Sequence, residues 1–80
     1  MEKSIFSKEQ KLLQALLRQI RLDAGLRQTD LAKRLRRPQS FVSKYESGER
    51  RLDLPELKQI CRAAGITLVD FVREFEKAVR

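Results

Sequence analysis

Eighty residues make one domain, and a chain this short buries only about 60% of its unfolded surface. The charged fraction is 36% beside a hydrophobic fraction of 41%, a periodic mixture that argues against a disordered chain. The net charge of +7 suggests an anionic partner, most often nucleic acid and less often a membrane surface, with a merely soluble basic protein as the alternative.

Residues 1–7 read as a flexible polar lead-in carrying Ile5 and Phe6. Ser7 with Gln10 resembles a capping box. From 8 to 24 the apolar positions Leu12, Leu13, Leu16, Leu17, Ile20 and Ala24 recur at helical spacing with no Pro or Gly, which predicts a long helix. Leu13, Leu17 and Ile20 suffice for one core. Leu12 and Leu16 are then left for the C-terminal helix, the preferred reading, or for a dimer contact. Gly25 ends the helix as a left-handed cap, and Leu26 anchors the connection.

Residues 28–48, QTDLAKRLRRPQSFVSKYESG, carry most of the information. A helix over 28–35 or 28–36 shows Leu31, Ala32 and Leu35 on one stripe. Its start is weakly encoded, because Arg27 has no capping oxygen; Asp30 compensates through the helix dipole. Pro38 stops this helix and suits the opening of the next. The second helix, 39–47, turns Val42 and Tyr45 one way. Gln39, Ser40, Ser43, Lys44 and Ser47 face the other. A polar helix side is ordinarily just solvated. Here Lys33, Arg34, Arg36 and Arg37 precede it and Arg50 and Arg51 follow, and a polar face framed by cations is what a DNA major groove accepts. Gly48 closes the helix.

Asp53 caps a fourth helix, with Pro55 and Glu56 in its first turn and Leu57, Ile60, Cys61 and Ala64 apolar; Gly65 ends it. Thr67 with Asp70 starts a fifth, reaching about Ala78, with Leu68, Phe71, Val72, Phe75 and Val79 apolar. The prediction is all-α: five helices in one compact bundle spanning 1–80, with no strand, repeat or linker. Cys61 is the only cysteine, which excludes an internal disulfide and reads as a buried structural thiol. Without any histidine there is no imidazole base, Cys/His zinc site or Ser-His triad. No phosphate loop or nucleophile–base pairing occurs, so no enzyme, metal or cofactor is expected. No signal-peptide core or membrane-length apolar run occurs either, and the expected location is the cytoplasm.

Gln28, Leu31, Ala32, Leu35, Gln39, Ser40, Val42, Ser43, Tyr45, Glu46 and Gly48 together resemble the helix-turn-helix of the lambda-repressor-like family, the Cro/CI or XRE type. Ile20-Arg21 before Gly25-Leu26 resembles its first helix, and 57–71 its fourth helix and the start of its fifth. The resemblance covers about 17–71. Two positions depart from the family: Arg36 stands where Gly is frequent in the turn, and Arg37 where an apolar residue follows. The turn backbone is then either less relaxed or different in φ.

The resemblance implies that 39–47 is the recognition helix of a small transcriptional regulator, a repressor of phage, antitoxin or operon-controller type. Gln39 and Ser40, then Ser43 and Lys44, would reach base edges. Gln suits adenine N6/N7, and Lys suits guanine. Phe41 is either a core edge or a contact for a thymine methyl. Gln28 would meet a phosphate at a helix N-terminus, and Ser47, Arg50 and Arg51 the backbone on the other side. Arg36 and Arg37 either join them or stay solvated, and Lys33 and Arg34 face solvent. Glu49 is acidic in a phosphate-contacting loop and is left out of the set. Arg21 and Glu46 fall where a partly buried ion pair would join the first helix to the third. A homodimer through the last helix, 68–79, would bind a palindromic operator; within a monomer, Ile5, Phe6, Leu12 and Leu16 would cover that helix instead. No small-molecule ligand is expected. The competing class is a protein-interaction adaptor reusing the fold.

Overall fold

The computed structural model describes residues 2–80, with side chains from Lys8 onward. Five helices follow in order: α1 (Glu2–Asp23), α2 (Gln28–Leu35), α3 (Gln39–Ser47), α4 (Leu54–Ala63) and α5 (Leu68–Ala78). No strand occurs among the described residues. The start of α1 corrects the expectation. Its backbone is helical from Glu2, so most of the lead-in belongs to the helix and the Ser7/Gln10 pair lies within it. The segment Glu2 to Lys11 is rich in Glu, Lys and Gln and has no breaker, and a local capping pattern does not stop a helix in such company. Met1 lies outside the described residues, and the side chains of Ile5 and Phe6 do too.

α2 and α3 pack on each other; α1 lies against α3 and α5, and α4 against α2 and α5. The core is Leu17, Leu26, Leu31, Ala32, Phe41, Val42, Tyr45, Ile60, Cys61 and Phe71. Ala32 on α2 is buried in this core, and α2 packs on α3. Cys61 is fully buried, and burial pushes its thiol up to about 11, far from the reactive thiolate. Leu13, Leu16 and Ile20 pack around the core, and Leu12 is half-buried. On α5, Phe71 is buried and Leu68 packs beside it, whereas Val69 and Val72 are 60% and 42% exposed.

The helix ends account for the connections. Asp53 accepts the Glu56 N–H (2.8 Å), and Glu56 accepts the Asp53 N–H (3.0 Å), a reciprocal capping box. Thr67 accepts the Asp70 N–H at 3.0 Å. At α2 the cap comes from the third residue: Asp30 accepts the Arg27 N–H at 2.9 Å, and it accepts Nε and Nη2 of the Arg27 guanidinium at 3.0 Å each. Those bonds, the guanidinium's first, hold the Asp30 carboxyl at about 2.

The turn between α2 and α3 settles the question of Arg36. Arg36 adopts the left-handed conformation that glycine usually supplies, φ 57° and ψ 43°. Its N–H donates to the Lys33 carbonyl (3.1 Å), and the Arg37 N–H donates to the Ala32 carbonyl (3.0 Å). The motif is thus retained, at a cost of about 1–2 kcal/mol for a residue with a Cβ. Gly48 matters at the other end of α3. Its φ is +89°, and a Cβ there would meet the side-chain amide of Gln14 on α1.

Candidate nucleic-acid interface

α3 is fixed from one side and open on the other. Val42 and Tyr45 are buried, and Gln39, Ser40 and Lys44 are exposed with Ser43 half-buried. Phe41 is 7% exposed and meets Tyr45 edge-on, with ring centroids 5.4 Å apart. Its ring also carries the guanidinium of Arg37 at 4.2 Å and that of Arg50 at 4.9 Å. Phe41 is therefore a core edge, and its ring has no open face for a thymine methyl.

A chain of side chains runs from α1 to the tip of α3. Arg21 Nε donates to Glu46 Oε2 at 2.7 Å, and Nη2 donates to Oε1 at 3.0 Å. The third arm, Nη1, donates to the Leu26 carbonyl at 2.9 Å. The two side chains are 8% and 5% exposed. The hydrogen bonds to Glu46 outweigh burial and raise the Arg21 pKa. Gln28 Nε2 donates to Glu46 Oε1 at 3.0 Å, and Gln39 Nε2 donates to Gln28 Oε1 at 3.1 Å.

The carboxylate sets the polarity of this chain. Glu46 is acceptor-only, so Gln28 presents its amide nitrogen there and its oxygen to Gln39. Gln39 must then donate inward with one hydrogen. It keeps its oxygen and its second N–H for an outside partner, one acceptor and one donor, which is the complement of adenine N6/N7.

The cations divide into two groups. Arg36 and Arg51 are exposed. Arg50 instead meets Glu56 with both prongs, Nη1 to Oε1 at 3.0 Å and Nη2 to Oε2 at 2.7 Å. Arg37 Nη2 reaches the same Oε2 at 3.4 Å. Ser47 divides its one proton between the Lys44 carbonyl (3.1 Å) and the Glu49 carboxylate (3.3 Å). Lys33 is exposed. Arg34 is exposed too, but it donates to the Ala63 carbonyl at 2.9 Å and so ties α2 to the end of α4.

Three residues at this site had no role in the sequence reading. Glu56 was read only as a first-turn acid, and no spacing rule connects it with Arg50. Gln14 covers Gly48. Arg18 lines a groove of about 250 Å³ between α1 and α3, together with Gln28, Ser43 and Ser47. A lysine-and-arginine helix side offers no sequence signal to single out Arg18. No group of residues suited to hold a metal occurs among the described residues, and none of the described helices is long and apolar enough to cross a membrane.

Residues 12–73 match the model of a helix-turn-helix domain family. Among solved structures, an XRE-family-like protein from Pseudomonas syringae pv. tomato is similar, with 40% identity and a TM-score of 0.90, over 99% of this chain and 96% of that one. A single-residue mutant of the restriction-modification controller protein C.Esp1396I shares 25% identity at a TM-score of 0.82, over 89% and 90% of the two chains. The clp gene regulator ClgR from C. glutamicum shares 26% at 0.78, over 90% and 92%. No curated protein sequence matches at a significant level. With the family model matched over most of its length, and the turn, caps and core all in their places, the chain belongs to the XRE-type helix-turn-helix family.

Proposed function

We propose that the protein is a sequence-specific double-stranded-DNA-binding regulator of transcription, acting as a repressor in the cytoplasm. α3 enters the major groove. Gln39, Ser40, Ser43 and Lys44 meet base edges, and Gln28, Arg36, Arg37, Ser47 and Arg51 meet phosphates. The resemblance puts Arg50 in that set too, but Glu56 engages both of its prongs, and Arg50 is left out of it. Arg18 joins from α1, since it shares a groove with Ser43 and Ser47.

The observation that carries this reading is the side-chain chain ending at Gln39. A solvated helix face has no need of a buried ion pair that orients one terminal amide. This one leaves a donor and an acceptor side by side at the N-terminus of α3. A single recognition helix reads only a few base pairs, so the protein works as a two-fold dimer on a palindromic site. Exposed Val69 and Val72 on α5 support an interface within 68–79.

Selection of bound duplexes from a random pool, repeated at two salt concentrations, tests the proposal. Enrichment of a short palindrome at both is expected. Retention without a motif, lost steeply with salt, would mean backbone binding alone. No retention would favour a protein-binding adaptor.

A further inference from the structure

Arg37 lies before α3 and Arg50 after it, yet both reach one carboxylate. Glu56 Oε2 is 2.7 Å from Arg50 Nη2 and 3.4 Å from Arg37 Nη2, and Glu56 Oε1 is 3.0 Å from Arg50 Nη1. Phe41 supports the two guanidinium groups on its ring. Glu56 is itself held, because its Oε1 also accepts the Asp53 N–H of the α4 cap and its side chain is only 14% exposed. Arg50 has both terminal nitrogens on Glu56, and Nη1 donates to the Arg51 carbonyl as well, at 3.0 Å.

We infer that Glu56 limits the strength and salt dependence of DNA binding, because it withholds Arg50, and in part Arg37, from DNA phosphates. The inference rests on the DNA-binding reading above. A cation already paired with a carboxylate brings little net charge to a phosphate. Its share of sequence-independent affinity falls, while the base contacts of α3 are untouched. Affinity and its salt dependence fall together on every sequence, because phosphate contacts are common to all of them. The hydrogen bonds to Arg50, then to the Asp53 N–H, hold the Glu56 carboxyl at about 2, so the anion is present throughout the neutral range.

Each phosphate neutralised adds about 0.9 to the slope of log K against log salt, or roughly tenfold in affinity near 0.1 M salt. The test compares the unmodified protein with Glu56→Gln, Arg50→Gln and the double variant on a duplex lacking the selected site. Glutamine keeps an oxygen for the α4 cap, and thermal melts check that each variant is folded. Glu56→Gln is expected to bind this duplex about tenfold more tightly or better, with a slope steeper by about 0.9–1.8. Adding Arg50→Gln should remove most of that gain. An unchanged slope, or weaker binding, in a Glu56→Gln protein that is folded would overturn the inference and make Glu56 a residue that positions the arginines on DNA.

Arg50→Gln alone reports without touching the cap. A slope within about 0.3 of the unmodified protein is expected, against a loss of about 0.9 for Arg51→Gln. A full loss for Arg50→Gln would overturn the inference. Absence of any duplex binding by the unmodified protein would overturn the DNA-binding reading and this inference together. An unaltered slope for Glu56→Gln, in a protein that does bind, would overturn this inference alone.

Discussion

Arg21 and Glu46 show how much depends on a pair rather than on either member. Both are buried, and both oxygens of Glu46 are occupied. Glu46→Ala strands a guanidinium in the interior and leaves Gln28 without its acceptor. A loss of about 3–5 kcal/mol is expected in urea unfolding. Replacing both partners by apolar residues of similar size should recover most of that stability while loosening Gln39, which separates the positioning role from stability. Tyr45 is a second case at this scale. Its hydroxyl is buried, and no described group bonds it; burial is the main reason its phenol pKa is raised. Tyr45→Phe should therefore stabilise the fold or leave it unchanged, by up to about 1 kcal/mol in the urea midpoint. A clear loss would mean that the hydroxyl has a partner.

At the scale of the element, the turn at Arg36 and the caps of α2 and α4 carry the expectations. Arg36 pays a steric cost that glycine would not. Arg36→Gly relieves about 1–2 kcal/mol of strain and returns part of it through a freer unfolded chain, so a net gain of about 0.5–1 kcal/mol is expected in a thermal melt. The acid-side behaviour follows from Asp30 and Glu56. Both carboxyls are held at about 2 when folded, below their unfolded values. Their stabilisation is full above the unfolded pKa and is lost as the pH falls from about 5 to about 2. Melting temperature should drop over that window, and Glu56→Gln should flatten the drop. An unchanged acid profile in that variant would show that its ion pairs contribute nothing. The elements themselves were largely legible, since α3 has its expected bounds and Val42 and Tyr45 face inward. The start of α1 was not, because the Ser7/Gln10 pattern imitates a cap inside a helix that begins at Glu2. Nor was the cap of α2, which is built backwards from Asp30 onto a residue with no oxygen of its own.

Across the whole molecule, the five-helix order was legible because each boundary has local chemistry: Gly25, Pro38, Gly48, Asp53, Gly65 and Thr67. The Arg21–Glu46 pair was legible only through family resemblance, as their separation of 25 positions has no local signature. The clustering of Arg37, Arg50 and Glu56 around Phe41 was illegible. It depends on how α4 packs beside the loop that follows α3, and charges scattered in sequence do not reveal which of them meet. Packing of α3 on α1 and α2 leaves its polar face open, with the Gln28–Gln39 contact at its tip. The central claim is that this tip reads bases. Duplex selection with Gln39→Ala beside the unmodified protein tests it most directly. The variant is expected still to enrich the palindrome but to lose preference at one base position in each half-site, by about 1–3 kcal/mol. Equal weakening on every sequence, with all base preferences intact, would contradict it.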